Sequence, residues 1–305
     1  MPAFPVPDDL DPCLTPARAD IAASWLKDRV KATKYVEPTR QTVITNISNL
    51  YRTPDADQAI ETQLLFGEPV DVFDVKDGWA WVQSARDDYV GYIRSSGLKI
   101  FSGNADPTHR VSNVGSFIFP DANRKAALDT SFGSVVTPGT SYKTTPVMPL
   151  SYGSLVRIAE QKDIMSELAD GGFIPTAHLT PIDFHAEEPI AEAFRFLGVP
   201  YLWGGRNSTG VDCSSLIQLI LQACNIKCPR NAYMQEKLLG RPIDRDNVQP
   251  GDLVFFRGHV GLMIDDTTMI HASDRAMAVS IDDLDEYVQW RSKSGKTPVK
   301  MFKRI

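Results

Sequence analysis

Three residues in the last third of the chain have the types and spacing for nucleophilic catalysis: Cys213, His259 and His271. Cys213 lies in "YLWGGRNSTGVDCSSLIQLILQACNI", which begins at Tyr201. A polar, glycine-rich approach leads to the thiol, and an almost wholly apolar run leaves it. Apolar residues nearly all round the helical period predict a buried helix, with Cys213 in its first turn. Unpaired N–H groups and the helix dipole favour negative charge there. Both effects lower a thiol pKa and raise its reactivity near neutral pH. The same N–H groups suit the oxyanion of a tetrahedral intermediate. A small apolar filler is the competing reading of a lone cysteine.

The chain has five histidines. His259 opens the run "HVGLMI". His271 lies in "TMIHAS", where Met269, His271 and Ser273 share one face of a strand. Adjacent antiparallel strands can set two such rings side by side. One ring would then be the base for Cys213 and the other would orient it. Two alternatives stay open at this level. One is a pair of satisfied core histidines. The other is a zinc site of Cys213, His259 and His271, which would lack a short chelating pair.

These residues need a scaffold, and 305 residues allow two or three compact units. With 43% hydrophobic and 23% charged residues the chain can bury real cores and is no disordered tail. A formal net charge of −6 argues against a nucleic-acid partner. No run reaches the apolar length of a transmembrane helix, so membrane insertion is not expected. The start, "MPAFPVPDDLDP", lacks the basic and apolar regions of an export signal. Its four cysteines match no zinc-ribbon spacing. The expectation is a reduced, cytoplasmic chain.

Residues 1–40 read as an N-terminal helical arm, because Thr15 suits a cap, Pro16 the first turn, and Ile21, Leu26 and Val30 form a rough stripe. From 41 to 105, short β-branched and aromatic runs separated by turns such as Asp77-Gly78 predict a small β-barrel. A second β unit, 106–183, repeats the first weakly. "LLFGEPVDV" matches "LSYGSLVRI", "GYIRSSGL" matches "GFIPTAHL", and "PDADQAIETQLLFG" matches "PDANRKAALDTSFG". The registers disagree by about twenty residues, which predicts an inserted loop around Thr137–Pro146. The third unit, 184–305, opens with the helix "EEPIAEAFRFLGVP" and continues with the Cys213 helix and the histidine strands, an α+β arrangement.

The third unit resembles the NlpC/p60 family of bacterial cell-wall cysteine peptidases. The resemblance is carried by Tyr201-Leu202-Trp203-Gly204-Gly205, Asp212-Cys213-Ser214, Pro229-Arg230 with Gln235, Pro250-Gly251-Asp252-Leu253, Gly258-His259-Val260-Gly261 and Ile270-His271-Ala272. The paired β units resemble, less specifically, the bacterial SH3-type domains that often precede this catalytic domain. The resemblance implies a papain-like α+β core behind two SH3-like barrels, working without metal or cofactor. Cys213 would be the nucleophile, His259 the base and His271 the orienting residue. The substrate would be a short peptidoglycan peptide, cut between D-γ-glutamate and a diamino acid. By the same analogy Asp212 and Ser214 would hold the free amino end of its leading L-Ala, and Tyr201 would help at the oxyanion. Trp203 and Arg230 would join the substrate-binding positions. Glu61 and Tyr89 would add a carboxylate and a hydroxyl from a first barrel that closes one end of the cleft. Ser215 stands where many relatives carry glycine, and Asn231-Ala232 where they often carry Ser or Thr. A transacylase or amidase on the same core, and a wall-binding protein without catalysis, are the rival functions.

Overall fold

Period-two alternation builds the first β unit. Strands Pro69–Lys76 and Trp79–Ser84 form a hairpin across Asp77-Gly78. Both turn residues have positive φ, 51° and 78°, as a two-residue hairpin turn whose twist matches its strands requires. These strands are the middle of a five-stranded antiparallel sheet, completed by Val90–Arg94 on one side and by Thr39–Val43 and Leu98–Ile100 on the other. The hairpin Ile47–Leu50/Thr62–Leu65 joins it through a bridge from Tyr51 to Tyr92. Val43, Leu50, Leu65, Val70, Val82 and Ile93 fill the interior. The computed structural model describes residues 10–100, 106–122, 148–296 and 298–305, in two compact units, Met1–Ile182 and Asp183–Ile305.

The helical arm is not what forms. Ile21–Ala23 is a strand paired in parallel with Lys34–Val36, with a 3₁₀ turn at Ser24–Leu26 between them. The apolar residues that made the stripe pack as expected of apolar residues, but from an extended chain. Ile21, Leu26 and Val30 bury against Phe73 and Trp81 on the outer face of the sheet. Arg18 ties the segment down, reaching Asp74 at 2.7 Å and lying 4.5 Å from the Trp81 ring centroid. Thr15 Oγ1 donates to the Asp11 carbonyl at 2.7 Å. This cover explains why Trp79–Ser84 is buried on both faces, where alternation had predicted half-burial.

The second β unit has its own core, including Val111, Ile118, Met148, Leu150, Val156 and Ile174. The weak repeat corresponds to a repeated order of elements. Strand Thr62–Leu65 runs into Gly67 at φ 80°, and Met148–Ser151 into Gly153 at φ 83°. Strand Val90–Arg94, 3₁₀ turn Ser95–Gly97 and strand Leu98–Ile100 are matched by Phe173–Pro175, Thr176–His178 and Leu179–Pro181. The two β units touch at Gly67, where an added Cβ would lie 1.9 Å from the Leu155 carbonyl oxygen. Arg86 bridges the same junction, pairing with buried Glu68 at 2.6 Å and donating to the Gly153 carbonyl at 2.8 Å. The inserted loop expected around Thr137–Pro146 lies outside the described residues.

The second compact unit is helix on sheet. Six antiparallel strands run in the order Arg241–Ile243, Val299–Arg304, Leu253–Phe256, His259–Met263, Thr268–Ser273, Ala278–Asp283. Helix Cys213–Ala223 packs on the His259 and Thr268 strands, and the shorter helix Pro189–Phe194 packs on that helix. Helix Leu284–Lys293 follows the last-named strand of the sheet and contacts it. Tyr287 from this helix joins Val254, Phe256, Met263, Met269 and Phe302 in a buried cluster. Among the described residues, no helix is long and apolar enough to cross a membrane.

Candidate active site

Asp212 decides where the nucleophile helix begins. Its carboxylate accepts from the Ser215 N–H at 2.8 Å, while Ser215 Oγ accepts from the Asp212 N–H at 3.0 Å, a reciprocal cap. Such caps contribute about 1 kcal/mol. Ser215 is one half of this device, so a serine in the place usually held by glycine has a local structural use. The approach to the helix needs its glycines. Gly204 has φ 72°, and an added Cβ on Gly205 would meet the Gly210 carbonyl oxygen at 2.6 Å. Cys213 is therefore the first helical residue. Its Sγ accepts hydrogen bonds from the backbone N–H groups of Val260 and Ser214. The Val260 bond places the sulfur against the strand that begins at His259.

The two histidines meet as the strand register requires. Leu262 pairs with Ile270 and Met263 with Met269, so His259 and His271 sit diagonally on one face. His259 Nε2 and His271 Nδ1 are 2.6 Å apart. Gly261 lies under the neighbouring strand, where an added Cβ would lie 2.9 Å from Met269 Sδ and 3.4 Å from His271 Cβ. Behind His271 stands a residue that the sequence did not single out. Asp282 Oδ2 accepts from His271 Nε2 at 2.8 Å, and its Oδ1 accepts from Arg275 Nη2 at 2.6 Å. The Tyr287 ring covers both imidazoles, with centroids 5.7 Å from His259 and 4.7 Å from His271. Its hydroxyl donates to Asp274 at 2.8 Å.

Burial corrects one expectation. The helix start was expected to lower the thiol pKa. Instead desolvation, followed by the Asp212 charge, pushes Cys213 up to about 12. The Val260 and Ser214 N–H groups and the Arg230 charge oppose this and lose. Burial, then the neighbouring His271, holds His259 well below its ordinary value. Both groups are therefore neutral at rest, one a thiol and the other an imidazole. Iodoacetamide should accordingly alkylate Cys213 about tenfold faster per pH unit from pH 7 to 10. The measurement is peptide-resolved mass spectrometry. A rate already flat between pH 6 and 8 would mean a preformed thiolate and contradict this reading.

Burial acts on Tyr201 too. Desolvation, then the neighbouring Cys213 and Asp212 charges, raises its phenol pKa, so it remains a hydrogen-bond donor at neutral pH. The Cys213 N–H has no acceptor among the described residues. Tyr201 lies within electrostatic reach of Cys213. Trp203 is 65% exposed at the rim of the same loop.

Asp212, Ser214 and Arg230 form a buried network of their own. Arg230 Nη1 donates to Asp212 Oδ1 and Ser214 Oγ, each at 2.9 Å, and its Nη2 donates to Asp212 Oδ2 at 2.6 Å. Gly204 N–H and Ser214 Oγ also donate to Asp212. Arg230 is 1% exposed and turned into the fold. Its place among substrate ligands is therefore not what the geometry offers; it neutralises the cap beside the nucleophile. In the first compact unit, Tyr89 Oη donates to Glu61 Oε2 at 3.0 Å, and the Arg52 guanidinium holds both Glu61 oxygens at 3.1 Å. Sequence reasoning paired Glu61 with Tyr89 but missed Arg52. Among the described residues no group of three or more His, Cys, Asp or Glu side chains could hold a metal ion. The zinc arrangement is not formed; His259 Nε2 and His271 Nδ1 are spent on each other.

A buried thiol at a capped helix start, with a pair of imidazoles on the sheet that this helix packs against, is a set of groups of the kind cysteine hydrolases use. The comparisons with known proteins agree in class. Residues 198–294 match the NlpC/P60 family, and residues 50–98 match the bacterial dipeptidyl-peptidase SH3 domain. The chain thus carries an NlpC/P60 peptidase domain behind a bacterial dipeptidyl-peptidase SH3 domain. It is 26% identical over 263 residues to dipeptidyl-peptidase 6 of Lysinibacillus sphaericus, covering 80% of this chain and 91% of that relative. It is 28% identical over 257 residues to a gamma-D-glutamyl-L-lysine dipeptidyl-peptidase of Bacillus subtilis, covering 76% and 78%. In fold it is similar to an NlpC/P60 family protein from Bacillus cereus, with a TM-score of 0.68 at 20% identity over 87% of this chain and 99% of that one.

Proposed function

We propose that the protein hydrolyses the γ-D-glutamyl–diamino acid amide bond of short peptidoglycan-derived peptides that begin with a free L-Ala, in the recycling of such peptides. The observation that carries this reading is the Cys213 sulfur at a capped helix start, bonded to the N–H of Val260, whose neighbour His259 is backed by His271. The naming of relatives as gamma-D-glutamyl-L-lysine dipeptidyl-peptidases supports the choice of bond. The second β unit, with its repeated order of elements, is read as a second SH3-like barrel.

In this mechanism the sulfur attacks the γ-carbonyl carbon while His259 takes the thiol proton. The Cys213 N–H and the Tyr201 hydroxyl receive the developing oxyanion. Collapse breaks the C–N bond, and the diamino acid leaves as an amine carrying the proton from His259. Water, deprotonated by the same ring, then splits the thioester and restores the thiol. Asp212 serves through the helix it caps, Ser214 donates to its carboxylate, and Trp203 offers an open flat face to the peptide. Glu61 with Tyr89 is a carboxylate–hydroxyl pair of the kind that suits an ammonium, though Arg52 already shares that carboxylate.

Mass spectrometry of L-Ala-γ-D-Glu-diaminopimelate and its L-Lys counterpart, incubated with the protein, tests the reading. Expected products are L-Ala-D-Glu and the free diamino acid, with none from Cys213→Ala. New cross-linked peptides would identify a transacylase, and free L-Ala an aminopeptidase that cuts the L-Ala–D-Glu bond. An intact substrate would leave the barrels as binding modules and end the peptidase reading.

A further inference from the structure

A neutral imidazole carries one N–H and one lone pair, so His259 can be a base toward Cys213 only if its Nδ1 is bare. We propose that Asp282, held by Arg275, is a positioning residue that fixes the tautomer of both histidines and leaves that lone pair facing the thiol. The proposal rests on the reading of His259 as the base.

Each proton position follows from the one behind it. An ionised carboxylate only accepts. Burial pushes the Asp282 pKa up, but the hydrogen bonds from His271 and Arg275 and the Arg275 charge outweigh it and hold the carboxyl below its ordinary value. His271 Nε2, 2.8 Å away, must therefore bear the N–H. His271 is kept neutral by burial, so its Nδ1 is bare and accepts. The donor across the 2.6 Å contact is then His259 Nε2–H. His259 Nδ1 is left with the lone pair. When it takes the proton of Cys213, the S–H bond breaks, an Nδ1–H bond forms, and the His259 Nε2–H stays donated to His271 Nδ1.

Among the described residues, the neighbouring polar groups are engaged elsewhere. Tyr287, from the helix packed beside the rings, spends its hydroxyl on Asp274, which is also paired with Lys296. Arg291 of the same helix donates to the Arg257 carbonyl at 3.3 Å. Ser273 Oγ, 3.3 Å from Asp282 Oδ2, adds a donor to the carboxylate. Arg275 matters because a guanidinium only donates. Whatever faces it at 2.6 Å must be an acceptor.

This makes Asp282→Asn diagnostic. Arg275 would claim the amide oxygen, so the amide NH₂ would face His271 Nε2 and force a lone pair there. His271 would become Nδ1–H, and His259 would accept at Nε2 and carry its proton at Nδ1. The base would vanish with every heavy atom in place. ¹⁵N NMR of the ring nitrogens at pH 7.5 should show both histidines as Nε2–H in the wild type and as Nδ1–H in Asp282→Asn. The kcat should fall about 10³-fold with KM within about threefold. Adding Arg275→Met frees the amide to turn its oxygen to His271, and kcat should recover at least about tenfold. A wild-type His259 protonated at Nδ1 overturns the proposal, as does an Asn variant with unchanged tautomers and kcat within about threefold of wild type. Failure of the Met variant to recover removes Arg275 from it. If the Asn variant does not fold, the wild-type spectrum decides alone. The tautomers are read whether or not any peptide is cleaved, so this proposal and the peptidase reading fail separately.

Discussion

His259→Ala is expected to lower kcat/KM at pH 7.5 about 10³- to 10⁴-fold, at the upper end of what general-base catalysis supplies. The size follows from the buried thiol. With its pKa pushed up to about 12, only a very small fraction of molecules is ionised at pH 7.5. Without the imidazole only that fraction attacks. Its activity should rise about tenfold per pH unit, so the gap to wild type should narrow steadily toward pH 10. A purely structural histidine would lose activity at all pH values alike. The ring also fills space among Phe256, His271 and Tyr287, so circular dichroism must first show that the variant is folded. The decisive measurement is the kcat/KM profile of both proteins from pH 6 to 10. A loss under tenfold at pH 7.5, or a gap that stays constant with pH, removes His259 from the role of base.

What could be read from sequence was what local chemistry determines. The helix starting at Cys213 is written in the Asp-Cys-Ser-Ser cap followed by an apolar run. The histidine pair is written in the period of two. Asp282 was not legible. It lies in "SIDDLDE", among Asp283, Asp285 and Glu286, and only the register of its strand turns one of these four acids inward. The thiol pKa was not legible either. A sequence shows that a helix begins, but whether water reaches that helix start depends on chain folded elsewhere, here the His259 strand and the Tyr201 loop. The N-terminal segment failed for a related reason. Ile21, Leu26 and Val30 needed an apolar partner, and Phe73 with Trp81 supplied one that a short extended stretch could cover. Helical spacing over fewer than about three turns is weak evidence when a neighbouring sheet can take the same residues.

Arg230→Met should be the most destabilising single change near the site, costing about 3–5 kcal/mol. Asp212 is 7% exposed, and the Arg230 guanidinium pairs with it at 2.6 Å. Removing that cation leaves a buried carboxylate whose remaining partners, the N–H groups of Gly204 and Ser215 and the Ser214 hydroxyl, are neutral. Burying an unpaired charge is what makes such substitutions severe, more than the worth of the lost pair. The consequence therefore has a signature. Asp212→Asn with Arg230→Met should be more stable than Arg230→Met alone, because the asparagine keeps the helix cap without the charge. Urea unfolding of the wild type, both single variants and the double variant measures the coupling, expected at about 2 kcal/mol or more. Chemistry should follow the same charge. Arg230 opposes the effect of Asp212 on the Cys213 thiol, so its loss raises the thiol pKa further. Alkylation of the folded Met variant at pH 9 should then be slower than wild type. Additive stabilities in the cycle, or faster alkylation by the folded variant, would show that Arg230 does not act by neutralising Asp212.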